Sequence, residues 1–81
     1  MRDMRISLNH DTLEYELEEV VQGSLKTYST SLRNHDMVTY GKWLIETSPN
    51  GPCPGDRIIN TCGTIYEYQT GGKWKTIKPN K

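Results

Sequence analysis

Six side chains are of the types that chemistry needs: His10, His35, Asp36, Asp56, Cys53 and Cys62. A nucleophile or an acid–base pair works only when held in a cleft beside its partner. The motifs that announce such sites have fixed spacings, and none is present: no GxSxG elbow, no HExxH helix, no phosphate loop, no Cys–His arrangement of family type. Cys53 and Cys62 are separated by eight residues, which is neither the spacing of a zinc half-site nor that of a redox pair. They read as two reduced, partly buried thiols. A disulfide between them is the alternative, and would fit an extracytosolic or virion setting. A zinc site would have to recruit His10 and His35, which follow no ligand spacing. His35-Asp36 reads as a polar turn rather than a dyad. No metal or cofactor is expected, and the chain is read as not being an enzyme.

Two stretches offer binding chemistry instead. Residues 11–22 hold Asp11, Glu14, Glu16, Glu18 and Glu19 and no base, whereas residues 70–81 hold Lys73, Lys75, Lys78 and Lys81 and no acid. With ten basic and ten acidic side chains, the molecule is neutral only in sum. The acidic run reads first as the solvated face of a helix, with acids favoured near the N-terminus by the macrodipole. As a contact patch, Glu14, Glu18 and Glu19 would meet a basic protein surface and steer association. In the basic stretch, Trp74 stands between Lys73 and Lys75, with Tyr66 and Tyr68 on the pairing strand. That is the pattern of an aromatic platform flanked by phosphate-binding lysines. Against it stand the neutral total, the small number of Arg and the absence of any RNP1, KH or paired-Cys signature. Lysines also blunt exposed edge strands. Tyr66, Tyr68, Lys73, Trp74 and Lys75 are therefore expected as protein contacts first and nucleic-acid contacts second.

These groups need a scaffold, and the last third of the chain supplies the plainest one. Ile58, Ile65, Tyr66, Tyr68, Trp74 and Ile77 are spaced by turn chemistry in the manner of a small antiparallel sheet. The spacing predicts short strands over 56–60, 64–69 and 74–78. Thr70-Gly71-Gly72-Lys73 joins the last two, because paired glycines supply the positive φ of a tight turn.

Upstream, Asp11 followed by Glu14 has the form of a capping box. Leu13, Leu17, Val20, Val21, Ser24, Leu25, Tyr28 and Leu32 recur at three- and four-residue intervals and predict a helix over 12–32. Gly23 opposes it, costing roughly 1 kcal/mol relative to Ala. So do the hydroxyls of Thr27, Ser29, Thr30 and Ser31, which compete for backbone hydrogen bonds. Leu13, Tyr15 and Leu17 also alternate, so 12–18 could instead pair with a strand over 4–8 in a hairpin turning at Asn9-His10-Asp11. The helix is preferred because its period alone joins the apolar positions from Leu13 to Leu25. After a polar break at Asn34-His35-Asp36, residues 37–47 read as a strand in which Gly41 marks a bulge or a close neighbour. Residues 48–55, with three prolines, form a loop. The expected fold is α+β: one amphipathic helix packed on a small, three- to four-stranded, mostly antiparallel sheet.

Length bounds the remainder. An 81-residue chain makes one small domain over residues 1–81, burying roughly 60–65% of the surface its unfolded form exposes. Leu, Ile and Val number only 15 and Phe is absent, so two Trp and five Tyr must carry much of the core. No apolar run approaches the ~20 residues of a membrane span, and the first ten residues lack a signal-peptide core. A soluble, cytoplasmic protein with no membrane contact is expected. The absence of Ala beside nine Thr, six Ile and five Asn matches AT-rich codon usage of the kind many bacteriophages show. By exclusion, the expected function is that of a non-enzymatic binding protein, a phage-encoded accessory that occupies a host protein and alters its activity. Nucleic-acid binding through the C-terminal hairpin is the second reading, and a small virion or assembly component the third.

Overall fold

The computed structural model describes residues 2–21, 23–29 and 33–79. Strand β1, Asp3–Asn9, alternates as its sequence demands: Met4 and Ile6 are buried, Leu8 is half-buried, and Asp3 and Arg5 face water. The chain then reverses in a turn held by side chains. The Leu13 N–H donates to the Asn9 carbonyl at 2.7 Å, while Asn9 Oδ1 accepts from the Asp11 N–H at 2.9 Å and the Thr12 N–H at 3.3 Å. Asn favours such self-made turns. Strands β2, Glu14–Val21, and β3, Ser24–Ser29, follow, with Gly23 at φ 81° in the reversal between them.

The helix expected over 12–32 is therefore a hairpin, and Asp11 and Glu14 cap nothing. Pairing decided the matter. Against β1, Tyr15, Leu17 and Glu19 stand opposite Leu8, Ile6 and Met4, so alternation buries one row that two strands share. The helical stripe would have buried Leu13, Val20 and Leu25 instead, and these are 73%, 71% and 62% exposed. Leu32, the stripe's last member, lies outside the described residues, as do Gln22 and 30–31.

The strand expected over 37–47 is also corrected. Helix α1, Asn34–Glu46, covers it, and the polar break at 34–36 is its first turn. Two-residue alternation put Met37, Gly41 and Ile45 beside Thr39 and Trp43, whereas a helix collects Met37, Val38, Gly41 and Ile45 on one buried stripe. Thr47 and Ser48 end it: their hydroxyls donate to the carbonyls of Trp43 at 2.7 Å and Ile45 at 2.9 Å. Pro49 stops any continuation. The 48–55 loop carries no regular structure but is tied down, with the Gly55 N–H donating to the Tyr68 carbonyl and the Asp56 N–H to that of Cys53.

Strands β4, Arg57–Ile59, β5, Ile65–Gln69, and β6, Lys73–Ile77, stand where the turn chemistry places them. Gly71 and Gly72, at φ 107° and 87°, make the β5–β6 turn. The sheet has six strands rather than three or four, in the order β3-β2-β1-β4-β5-β6. It is mixed: β1 and β4 run parallel at its centre, and every other pair is antiparallel. Two three-stranded meanders thus lie side by side, and α1 links the outer strand of the first to the inner strand of the second. The α+β class stands.

The helix lies on β2, β1 and β4. Between them sits the core: Met4, Ile6, Leu17, Met37, Val38, Ile45 and Ile58, with Tyr15, Tyr28, Tyr40, Leu44, Tyr66 and Trp74 packed around it. The opposite face of the sheet carries no layer among the described residues. No described helix is long and apolar enough to cross a membrane.

Candidate binding surface

Strand alternation sorts every candidate side chain onto one of two faces. Tyr66 stands opposite Ile58, and Tyr68 opposite Trp74. All three aromatics therefore share the helix side with the core. Lys73 and Lys75, next to Trp74 in sequence, project from the other face, opposite Gln69 and Glu67. The expected platform of Tyr66, Tyr68, Lys73, Trp74 and Lys75 is thus divided between the two faces, because a two-residue period separates what is adjacent in sequence.

The cation beside the aromatics comes from the helix instead. Lys42 Nζ lies 5.0 Å from the centroid of the Tyr66 ring and 5.7 Å from that of Trp74, inside cation–π range. Tyr68 meets Trp74 edge to face at 5.2 Å, and the Trp74 indole N–H donates to Glu46 Oε2 at 3.1 Å. Lys42 and Glu46 are one turn apart on the flank of α1 nearer the β5–β6 hairpin, so two helix residues pin the hairpin's aromatics. Trp74 is half-buried: it serves the fold and still shows an edge to solvent.

Sequence reasoning missed the most exposed aromatic pair. Tyr40 and Trp43 stack with centroids 6.1 Å apart and planes 15° from parallel, and Trp43 is 55% exposed on the outward side of α1. A three-residue separation makes neighbours only on a helix. On a strand over 37–47 Tyr40 and Trp43 fall on opposite faces, so alternation does not bring them together.

The acidic candidates divide as well. Glu14 and Glu18 lie on the helix-free face of β2, with Glu18 opposite Arg5 and Thr27. Glu19, on the other parity, is 2% exposed and belongs to no surface patch. It receives Arg2 in a two-pronged ion pair, and the Tyr28 hydroxyl donates to its Oε1 at 3.2 Å.

The six residues singled out for chemistry are scattered. His10 is exposed in the β1–β2 turn, and Asp36 sits in the first turn of α1. The side chain of His35 lies outside the description. Asp56 is buried with both oxygens engaged: Oδ1 accepts from the Arg2 N–H at 2.7 Å and Oδ2 from the Cys53 N–H at 2.9 Å. Cys53 and Cys62 are free and exposed, not partly buried. The Thr64 hydroxyl, 3.2 Å from Cys62 Sγ, lowers that thiol's pKa. Among the described residues no three His, Cys, Asp or Glu side chains cluster as metal ligands would.

Compared with known proteins, the chain matches no family model, no curated protein and no solved structure.

Proposed function

We propose that the chain is a non-enzymatic binding module for another protein, working through its helix side. The observation that carries the reading is the Tyr40–Trp43 stack: a large ring held in place by its neighbour with more than half its surface in water. Scattered exposed aliphatics are ordinary, whereas a pre-ordered exposed indole is the commonest kind of interface anchor. The surface is continuous from there, because Trp43 is three residues from Glu46, and Glu46 holds Trp74 beside Tyr66 and Tyr68. A partner offering an apolar pocket for Trp43 and an acid toward Lys42 fits this side. The finer reading, a phage-encoded accessory that occupies a host protein, draws its support from the Ala-free composition. Nucleic acid is the weaker alternative, since Lys73 and Lys75 are turned away from the rings they were expected to flank.

The test is capture from a bacterial lysate by immobilised wild-type chain and by Trp43→Ala. Covering the exposed half of an indole removes on the order of 100 Å² of apolar surface, worth about 2–3 kcal/mol. The captured protein should therefore bind the variant about thirtyfold or more weakly. A partner held equally by both forms, or a nucleic acid whose affinity falls steeply with salt, would overturn the reading.

A further inference from the structure

We propose that the free edge of β6 is a docking strand for an acidic segment of another protein, which adds to the sheet as a seventh, extended strand. The direction of the backbone groups follows from two hydrogen bonds. The Tyr68 N–H donates to the Asp56 carbonyl at 2.8 Å and the Tyr68 carbonyl accepts from the Gly55 N–H at 2.9 Å, so Tyr68 turns both groups toward β4. Its neighbours Glu67 and Gln69 therefore turn theirs toward β6, where Lys75 and Lys73 face them. By the same alternation the N–H and C=O of Trp74 and of Thr76 point away from β5, and among the described residues no group bonds them. These four backbone groups stand in line on an edge without a bulge, since β5 and β6 pair residue for residue from Ile65 opposite Ile77 to Gln69 opposite Lys73. Such a row is a template for one more strand.

Charge selects the occupant. Residues 65–78 hold Lys73, Lys75 and Lys78 against Glu67 alone, and all three lysines are exposed. Among the described residues none of the three is in an ion pair. Lys73 and Lys75 project from the helix-free face, and Trp74 and Thr76 from the helix side. An added strand thus meets both lysines with alternate side chains and the solvent edge of Trp74 with the side chain between. Acids at alternate positions, separated by apolar or β-branched residues, complete the cross-strand pairs. The lysines also exclude a second copy of the chain. The antiparallel register that sets Trp74 of each copy against Thr76 of the other brings Lys75 against Lys75, and like charges directly opposite repel. The far edge, β3, does not suit an acidic strand, because β2 behind it carries Glu14, Glu16 and Glu18.

The probe is a capped octapeptide alternating Glu and Val, titrated into the full chain and followed by NMR. Amide hydrogen exchange at Trp74 and Thr76 should slow about tenfold or more at saturation, while Lys73 and Lys75, already bonded to β5, should change little. This readout needs no variant. Thr76→Pro removes one outward donor without touching the β5 ladder, and should weaken binding about fivefold or more. Lys73→Glu combined with Lys75→Glu should reverse the preference, favouring the same peptide with Lys in place of Glu. Trp43→Ala, out on the helix, should leave peptide binding unchanged, so failure here and failure of the Trp43 reading are separable. No saturation below about 1 mM peptide, or binding that leaves exchange at Trp74 and Thr76 unchanged, overturns the proposal. So does protection that rises with protein concentration alone, which would mean self-pairing. An oligothymidylate that protects the same two amides more strongly than the peptide would overturn it in favour of nucleic acid.

Discussion

Arg2 grips Glu19 with two prongs: Nε donates to Oε2 at 2.6 Å and Nη2 to Oε1 at 2.9 Å. The same guanidinium donates from Nη1 to the Leu44 carbonyl at 3.4 Å, and the Arg2 backbone N–H donates to Asp56. One side chain near the start of the chain thus binds β2 and the last turn of the helix, while its own N–H binds the residue preceding β4. Glu19 raises the Arg2 pKa further above its already high value, so the guanidinium is charged at every working pH.

Removing one partner of that pair leaves a carboxylate buried without its counter-charge. For a wholly buried pair this costs about 3–5 kcal/mol. The Arg2 side chain is 29% exposed, so Arg2→Ala should cost about 2–4 kcal/mol, a large part of the roughly 4–12 kcal/mol a chain of this size possesses. Arg2→Lys should recover little, because an ammonium cannot fork. Urea unfolding should show the midpoint falling at constant slope. Midpoints within error of wild type would mean that the pair contributes nothing to stability.

Gly41 lets the helix approach β4. A Cβ there would lie 3.1 Å from Ile58 Cδ1 and 3.4 Å from Cγ1, with Leu17 Cδ1 at 3.6 Å. Ile58 is fully buried and has little room to yield. The helical gain of Gly→Ala, about 1 kcal/mol, is set against overpacking of about 1–3 kcal/mol, so Gly41→Ala should destabilise by about 1 kcal/mol. Ile58→Val removes the obstructing methyl. In a double-mutant cycle the two changes together should cost at least ~0.5 kcal/mol less than their sum. Strict additivity would mean the helix is free to move away.

The same glycine shows what was legible in the sequence and what was not. In a strand Gly41 marks either a bulge or a close neighbour; the structure shows the close neighbour, Ile58, but on a helix. The C-terminal meander was readable because its signals are local: alternation over five residues, then Gly71-Gly72 at positive φ. The segment from Leu13 to Leu25 was not, because its positions satisfy both periods. What separated them was Met4, Ile6 and Leu8 lying opposite Glu19, Leu17 and Tyr15, a relation between strands that neither strand states alone. The site suffered in turn. Trp74 and its two lysines are one cluster in sequence that alternation divides between two faces, and Trp43 meets Tyr40 only because residues 34–46 are a helix rather than a strand.

Leu13 carries a φ of 61° in the β1–β2 turn, the single non-glycine residue at positive φ among those described. A branched side chain there costs about 1–2 kcal/mol in backbone strain, and at 73% exposure it recovers little by burial. Leu13→Gly should therefore raise stability by about 0.5–1 kcal/mol, the relief being partly offset by glycine's greater freedom when unfolded. Leu13→Val should lower it. A thermal melt that ranks Val at or above Gly would show that the turn is not held in this conformation.

Arg57 holds Asp3 from the neighbouring strand, with Nε and Nη2 each donating to a carboxylate oxygen at 3.1 Å. These bonds draw the Asp3 pKa below its ordinary 3.8. A carboxylate depressed on folding contributes stability that is fully present above the unfolded value and is lost as pH falls through the folded one. With side chains 36% and 52% exposed, the contribution is about 0.5 kcal/mol or less. Wild type should exceed Asp3→Asn by that small margin from neutrality down to about pH 4, and the two should converge below pH 3. A margin that grows on acidification would reverse the assigned sign.

The two tryptophans should report separately on the two roles given to the helix side. Trp43 is open to water, whereas Trp74 is packed against Tyr68, covered by Lys42 and bound through its indole N–H to Glu46. Trp43→Ala should change stability by no more than about 0.5 kcal/mol, as surface changes do. Trp74→Ala should cost about 2–3 kcal/mol, less than a fully buried ring would. Fluorescence of the single-tryptophan forms checks the exposure behind both numbers. The chain that keeps Trp43, made by Trp74→Phe, should emit further to the red and be quenched by acrylamide more steeply than the chain that keeps Trp74, made by Trp43→Phe. Equal slopes would mean that Trp43 is covered in solution, and a covered indole has no free surface with which to anchor a partner.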